Sequence, residues 1–138
     1  MKKYFLAKSE PNSYSIEDLE NDNITWWDGV HNYSALITIK SWKIGDQIYF
    51  YRSLKEPAVV GLMEVISEPI FDVDDIRQIS YKAQVKFISK FENPIYLKQI
   101  KESNLFQTFA LVKNSRLSVM ACTNEFCEYI DRHNKPVI

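Results

Sequence analysis

The sequence of 138 residues has little of what marks several large classes of protein. It contains three glycines and two cysteines, Cys122 and Cys127, and it has no internal repeat. The scarcity of glycine leaves no Gly-rich phosphate loop and no flexible linker. The cysteine spacing fits neither a disulfide framework nor a paired zinc motif, so we expect two reduced thiols and no metal or cofactor. These absences predict a single domain over residues 1–138.

Excess charge and long apolar runs are also lacking. The chain has 17 Lys and Arg against 18 Asp and Glu, which gives a formal net charge of −1. A protein that coats long duplexes neutralises many phosphates, so this balance argues against that class and leaves room only for a local phosphate site. The apolar run from Tyr4 to Ala7 is too short for a signal peptide or a membrane span. We therefore expect a cytoplasmic monomer with no membrane partner.

Apolar periodicity and turn residues predict about five strands with peripheral helices. The expected strands are Tyr4 to Lys8, Gln47 to Ser53, Val59 to Ile66, Tyr81 to Phe87 and Leu117 to Cys122. Ser15, Asn32 and Thr123 are expected to cap helices. Gly61, inside an apolar strand, indicates a bulge or a close backbone approach. Because regular βαβ alternation is missing, we expect a mixed α+β fold, with a curled sheet or small open β-barrel.

What the sequence does have is aromatic residues, 14% of the chain, which cluster beside polar ones. The densest cluster runs from Trp26 to Tyr33, around Gly29. Two adjacent tryptophans on irregular backbone cannot easily both face one core. We expect Trp26 to be the packed residue and Trp27 to be partly accessible in a binding site.

Three further segments place polar groups at strand ends or in a loop before a strand. They are Lys8 to Pro11, Phe50 to Ser53, and Lys113 to Ser118. Each also fits an ordinary solvated loop or strand end. A flipped or single-stranded base needs an aromatic surface, hydrogen-bonding groups at its edge and one or two cations. The four segments together supply these groups, which favours a site for one base.

In order along the chain, these segments resemble the EVE-domain family. The motifs are Lys8-Ser9-Glu10-Pro11, Trp27-Asp28-Gly29-Val30-His31-Asn32-Tyr33, Phe50-Tyr51-Arg52-Ser53, Val59-Val60-Gly61 and Ser115-Arg116-Leu117-Ser118-Val119. The resemblance implies a PUA-like fold, related to YTH domains, and a reader of modified bases in DNA or RNA. It also implies a pocket formed by Ser9, Glu10, Trp27, Asn32, Tyr33, Tyr51, Arg52, Arg116 and Ser118.

The sequence departs from the family pattern at three positions. His31 stands where the family usually has arginine, Arg52 where it usually has histidine, and Leu36 where it usually has a basic residue. We expect Lys8, Arg52 and Arg116 to contact phosphate.

The sequence thus predicts a module that captures a single, modified base of DNA or RNA and is not an enzyme. No nucleophile lies beside an evident base, and we expect no catalytic or metal residues. One alternative is a regulatory module that uses the same pocket for a small metabolite or a protein. A metal-dependent nuclease comes third, because Glu10 and Asp28 offer two carboxylates.

Overall fold

The computed structural model describes residues 2–134, which form seven strands and five helices. The strands are β1 (Tyr4–Ser9), β2 (Ile24–Trp27), β3 (Gln47–Arg52), β4 (Ala58–Val65), β5 (Ile70–Phe71), β6 (Tyr81–Tyr96) and β7 (Val119–Ala121). The helices are α1 (Ile16–Asp22), α2 (Tyr33–Lys40), α3 (Leu97–Glu102), α4 (Ala110–Lys113) and α5 (Asn124–Asn134). Strands β2 and β5 and helix α4 were not expected from the sequence.

The helix starts follow from local capping chemistry. The amide of Asp18 donates to the Ser15 hydroxyl at 3.1 Å, and the Asp18 carboxylate accepts from the Ser15 amide at 2.9 Å, a reciprocal capping box. The Asn32 side-chain oxygen accepts from the amide of Ala35 at 3.0 Å, and the Thr123 hydroxyl caps α5 in the same way. These contacts confirm the three predicted caps.

The sheet is mixed and open, with the strand order β2-β6-β4-β3-β1-β7 and β5 attached to β6. Strands β1 and β3 run parallel, and the other pairs are antiparallel. The mixed α+β prediction is confirmed, and the apolar strand β4 lies between β6 and β3 in the interior of the sheet. Because β2 and β7 lie at opposite edges, residues on these two strands can meet only if the sheet curls.

Gly61 combines both features that its position predicted. The β4–β6 register shifts between Val59 and Gly61. A Cβ on Gly61 would lie 2.5 Å from Cδ1 of Ile16 and 2.7 Å from the carbonyl oxygen of Ser89. Glycine is therefore needed where α1 and β6 both approach the β4 backbone.

Both faces of the sheet are buried, because successive side chains of a strand point to opposite faces and the central strands carry apolar residues on both. Phe5 and Phe50 join a core beneath α1 and α2. Leu6, Tyr49 and Tyr51 join a second core, which is closed by α3 and α5. The division of β1 and β3 between two cores decides which of their side chains can reach a site on either face.

Helix α2 packs against both β6 and β7, and so bridges two strands that lie far apart in the strand order of the curled sheet. Within residues 2–134, no helix has the length and apolar character needed to cross a bilayer.

Candidate functional site

A cleft of about 680 Å³ opens beside the ends of β1 and β2. Its walls combine aromatic rings, hydroxyls, carboxylates, an imidazole and an ammonium group. The lining residues are Lys8, Ser9, Glu10, Ser13, Tyr14, Thr25, Trp26, Trp27, Asp28, Gly29, Val30, His31 and Ser118. We call this feature the cleft.

The cleft exists because the sheet curls. Trp27 ends β2 at one edge of the sheet, and Ser118 immediately precedes β7 at the other edge. Between them, the β1 residue Lys8 donates its backbone amide to the carbonyl oxygen of Ser118 at 2.8 Å. The two ends of the strand order therefore converge on one site.

The two tryptophans have the reverse of the predicted burial. Trp27 is 8% exposed and packs edge-on against Phe50, with ring centroids 5.6 Å apart, whereas Trp26 is 38% exposed. The prediction was wrong because residues 24–27 form a strand rather than irregular backbone, and strand geometry sends adjacent side chains to opposite faces. Trp27 faces the core and shows the cleft only part of its ring, while Trp26 lies on the outer face.

Lys8 brings a positive charge to the cleft wall. Its ammonium group donates to the carbonyl oxygen of Ser115 at 3.0 Å and lies 5.7 Å from the centroid of the Tyr51 ring. Burial lowers the pKa of the Lys8 ammonium group, because desolvation disfavours the charged form. An anion that entered the cleft would stabilise the charged form of this group and so offset part of the cost of its desolvation.

A hydrogen-bonded turn fixes the wall that follows β1. The Ser9 hydroxyl donates to the carbonyl oxygen of Tyr14 at 2.6 Å, so its proton is engaged and it can only accept from a ligand. The Tyr14 hydroxyl donates to Asp22 at 2.8 Å. Burial, together with the Asp22 carboxylate, raises the pKa of Tyr14. The phenol therefore remains neutral and holds the turn in place.

His31 is held by a carboxylate from a distant loop. Its Nε2 lies 2.6 Å from Oδ1 of Asp75, whose Oδ2 accepts from the amides of Ile79 and Ser80 at 3.0 Å each. The hydrogen bond from His31, with those from the two amides, lowers the pKa of Asp75 to about 2. Because an ionised carboxylate only accepts, Nε2 of His31 carries the hydrogen and Nδ1 is left as the second polar atom of the ring.

Asp72, Asp74 and Asp75 follow β5 closely in the chain, and two of the three are not solvated. Asp72 and Asp75 are both buried. Asp75 organises the turn after β5 and fixes His31, a residue that lies 44 positions earlier in the chain.

Of the residues predicted for the site, five line the cleft: Lys8, Ser9, Glu10, Trp27 and Ser118. The base-binding residues predicted from the sequence did not include the other eight, and five of these lie in the aromatic run from Trp26 to Tyr33: Ser13, Tyr14, Thr25, Trp26, Asp28, Gly29, Val30 and His31. That run was the signal that could have found those five.

Five predicted residues lie outside the cleft lining. Asn32 uses its side-chain oxygen to cap α2, and Tyr33 is 70% exposed in the first turn of that helix. Tyr51 is buried in the second core, behind Lys8, and burial raises its pKa to about 12. Arg116 is exposed on the turn that precedes β7. Their roles in binding remain predictions.

Arg52 is turned toward another part of the surface. Its guanidinium donates to the carbonyl oxygen of Glu56 at 2.9 Å and lies 6.0 Å from the centroid of the Tyr96 ring. The histidine and arginine that depart from the family pattern therefore do not share one cavity, since His31 lines the cleft and Arg52 does not.

Glu10 and Asp28, the two carboxylates considered for a metal, both line the cleft. Residues 2–134 contain no group of three or more His, Cys, Asp or Glu side chains placed to hold a metal ion.

A mixed, curled sheet whose edges converge on an aromatic and polar cleft defines a small domain of the PUA-like class. Residues 3–133 match the model of the EVE domain, and the chain belongs to this family. The family predicted from the sequence motifs is confirmed.

Curated and solved relatives agree with this assignment. Thymocyte nuclear protein 1 of Gallus gallus is 29% identical over 161 aligned positions, which cover 92% of this chain and 66% of that protein. The chain thus spans about two thirds of the length of this relative. A hypothetical protein from Leishmania major is 32% identical, with a TM-score of 0.86 over 97% of this chain and 95% of its own. Human THYN1 protein, solved in complex with DNA containing 5-methylcytosine, is 26% identical, with a TM-score of 0.84 over 99% of this chain and 100% of its own.

Proposed function

We propose that this protein binds nucleic acid and takes a single modified base into the cleft. The observation that carries the proposal is the cleft itself, with the Trp27 ring in its wall and polar groups around it, in a chain that has the fold of a protein solved with 5-methylcytosine DNA. The proposal includes no catalytic step.

The dimensions and chemistry of the cleft suit a base. Its volume of about 680 Å³ lies within the range of small-molecule sites and leaves room for a base with part of its sugar. The exposed part of Trp27 offers an apolar contact for a flat ring. Ser9, Ser118 and Thr25 supply hydroxyls, and Glu10 and Asp28 supply acceptors, for the edge of a base.

The charges favour local capture over binding along a track. Lys8 is positioned to meet one phosphate or an electron-rich base edge, whereas the net charge of −1 gives the chain no excess of positive charge for holding a long strand. The captured base must then supply a large part of the affinity. A modified base can be preferred because an additional buried methyl group contributes about 0.8 kcal/mol, roughly a fourfold gain in affinity.

The test is a titration of short single-stranded DNA and RNA oligonucleotides, each with one modified base, beside unmodified controls. We expect the 5-methylcytosine DNA to bind severalfold more tightly than its cytosine counterpart. Ser118→Tyr, which fills the cleft, should abolish binding. Ser41→Tyr makes the same substitution at an exposed position at the end of α2, and it should leave binding unchanged.

Binding by Ser118→Tyr as strong as by the unaltered protein would refute capture in the cleft. Equal affinity for modified and unmodified strands would refute the preference alone. If the free nucleoside bound as tightly as any oligonucleotide, the alternative of a small-molecule regulatory module would be favoured.

A further inference from the structure

The outer face of the β2–β6 edge carries an aromatic and basic surface next to the cleft. Trp26 lines the cleft, yet it lies on the opposite face of β2 from Trp27. Both tryptophans therefore border the cleft at the edge strand β2, Trp27 from the core side and Trp26 from the outer side. A ligand held against Trp27 has Trp26 close to it across this edge.

Trp26 is held in place by its neighbours. The ammonium group of Lys82 lies 4.8 Å from the centroid of the indole ring, a cation–π contact. Lys82 is itself tethered to Asp72, with 3.7 Å between Nζ and Oδ1. With one side of the ring covered by the lysine, 38% of the Trp26 surface remains exposed. The indole is thus restrained before any ligand arrives, which reduces the entropy that binding would cost.

The same face carries further positive charge. Trp26 pairs with Gln84 and Ile24 pairs with Lys86, and because alternate residues share a face, Lys82 and Lys86 flank the tryptophan. Lys86 is exposed and Lys82 is partly buried. The Lys82 ammonium group lies beside the indole, and Lys86 adds a second lysine to the same face. An aromatic ring with positive charge near it suits a single strand, in which bases alternate with phosphates.

We infer that Trp26 is a second stacking surface, which takes the base adjacent to the captured one while Lys82 and Lys86 face the connecting phosphates. This inference rests on the proposed function, since it needs a captured base to set the position of the strand. It predicts that the protein recognises at least two consecutive nucleotides, although only one enters the cleft.

The test compares three probes: the free nucleoside of 5-methylcytosine, a short single strand with one 5-methylcytosine, and the same strand with abasic sites on both sides of that base. The unaltered protein should bind the complete strand about tenfold more tightly than the abasic strand, as expected for one stacked base. Trp26→Ala should bind these two strands equally, and its loss of affinity should be smaller for the nucleoside than for the complete strand. Trp26→Phe should recover part of the tenfold preference and checks that loss of folding is not the cause.

Tyr96→Ala is the matched control. Tyr96 is also 38% exposed and also has a cation near its ring, but it lies outside the cleft lining. Its removal should leave the preference for the complete strand intact.

The outcomes separate the two proposals. Failure of the unaltered protein to bind any of the three probes would refute the proposed function, and the second stacking surface with it. Nucleoside binding with no preference for the complete strand, or with the preference kept in Trp26→Ala, would overturn the stacking surface alone. A loss of nucleoside affinity in Trp26→Ala equal to the loss for the strand would make Trp26 part of the base pocket instead.

Discussion

Replacement of the two adjacent tryptophans by alanine should have very different effects on stability. Trp27 is 8% exposed and packs against Phe50, so Trp27→Ala removes a large ring from the core. Such changes cost about 3–5 kcal/mol, out of a total free energy of unfolding of about 5–15 kcal/mol. Because one side of the new cavity opens to the cleft, water can enter, and we expect the lower end of this range. Trp26→Ala, on the outer face of an edge strand, should cost only about 1 kcal/mol.

Urea unfolding followed by circular dichroism measures this difference. Trp27→Ala should lower the urea midpoint strongly with an unchanged slope, and its melting temperature should fall by about 10 °C or more. Trp27→Phe keeps an aromatic ring beside Phe50 and should recover part of the loss. If Trp26→Ala destabilised the protein as much as Trp27→Ala did, the assignment of the two rings to opposite faces of β2 would be refuted.

Three other perturbations test separate parts of the structure. Gly61→Ala should lower the free energy of unfolding by about 1–3 kcal/mol. Ile16→Val in the same chain should restore part of this loss in urea titrations, since a Cβ on Gly61 would lie 2.5 Å from Cδ1 of Ile16. If the effects of the two substitutions on the free energy of unfolding simply added, the contact would be contradicted. In Asp75→Asn, the free energy of unfolding should fall less between pH 4 and pH 2 than it does in the unaltered protein. The folded pKa of Asp75 is lowered from 3.8 to about 2, chiefly by His31, so the carboxylate stabilises at neutral pH and this stabilisation is lost as pH falls toward 2; parallel acid-unfolding curves would argue against the pair. Lys8→Gln should weaken modified and unmodified strands by the same factor and flatten the log-log salt dependence of binding by about 0.7, whereas an unchanged slope would remove Lys8 from phosphate contact.

The elements that the sequence predicted well are those specified by neighbouring residues. The start of α2 depends on Asn32 and an amide three residues away, and α1 begins at a capping box formed by Ser15 and Asp18. The central position of β4 follows from its continuous apolar run, and Gly61 revealed the close approach of other backbone. Hydrogen-bonding chemistry and side-chain alternation act over a few residues, so they can be read directly from the chain.

The burial of the tryptophans and the composition of the cleft were decided by the tertiary structure. The short strand β2 was missed because residues 24–27 have no polar and apolar alternation, and its pairing with β6 then determined which indole faces the core. Likewise, Tyr51 and Arg52 follow one another in β3, but Tyr51 is buried in the second core and Arg52 donates to the Glu56 carbonyl oxygen, so neither lines the cleft.

By itself, the sequence determined the family, the helix caps, and the mixed strand and helix content, and three of its four aromatic and polar segments contribute residues to the cleft. Only the tertiary structure brought Trp27 at one edge of the sheet to Ser118 beside the other edge, and paired His31 with Asp75 across 44 residues. The physical reason is that the curl of the sheet is the sum of twist and bulges over all its strands. No local sequence pattern specifies the curl of the whole sheet, and this curl decides which side chains from its two edges share the cleft.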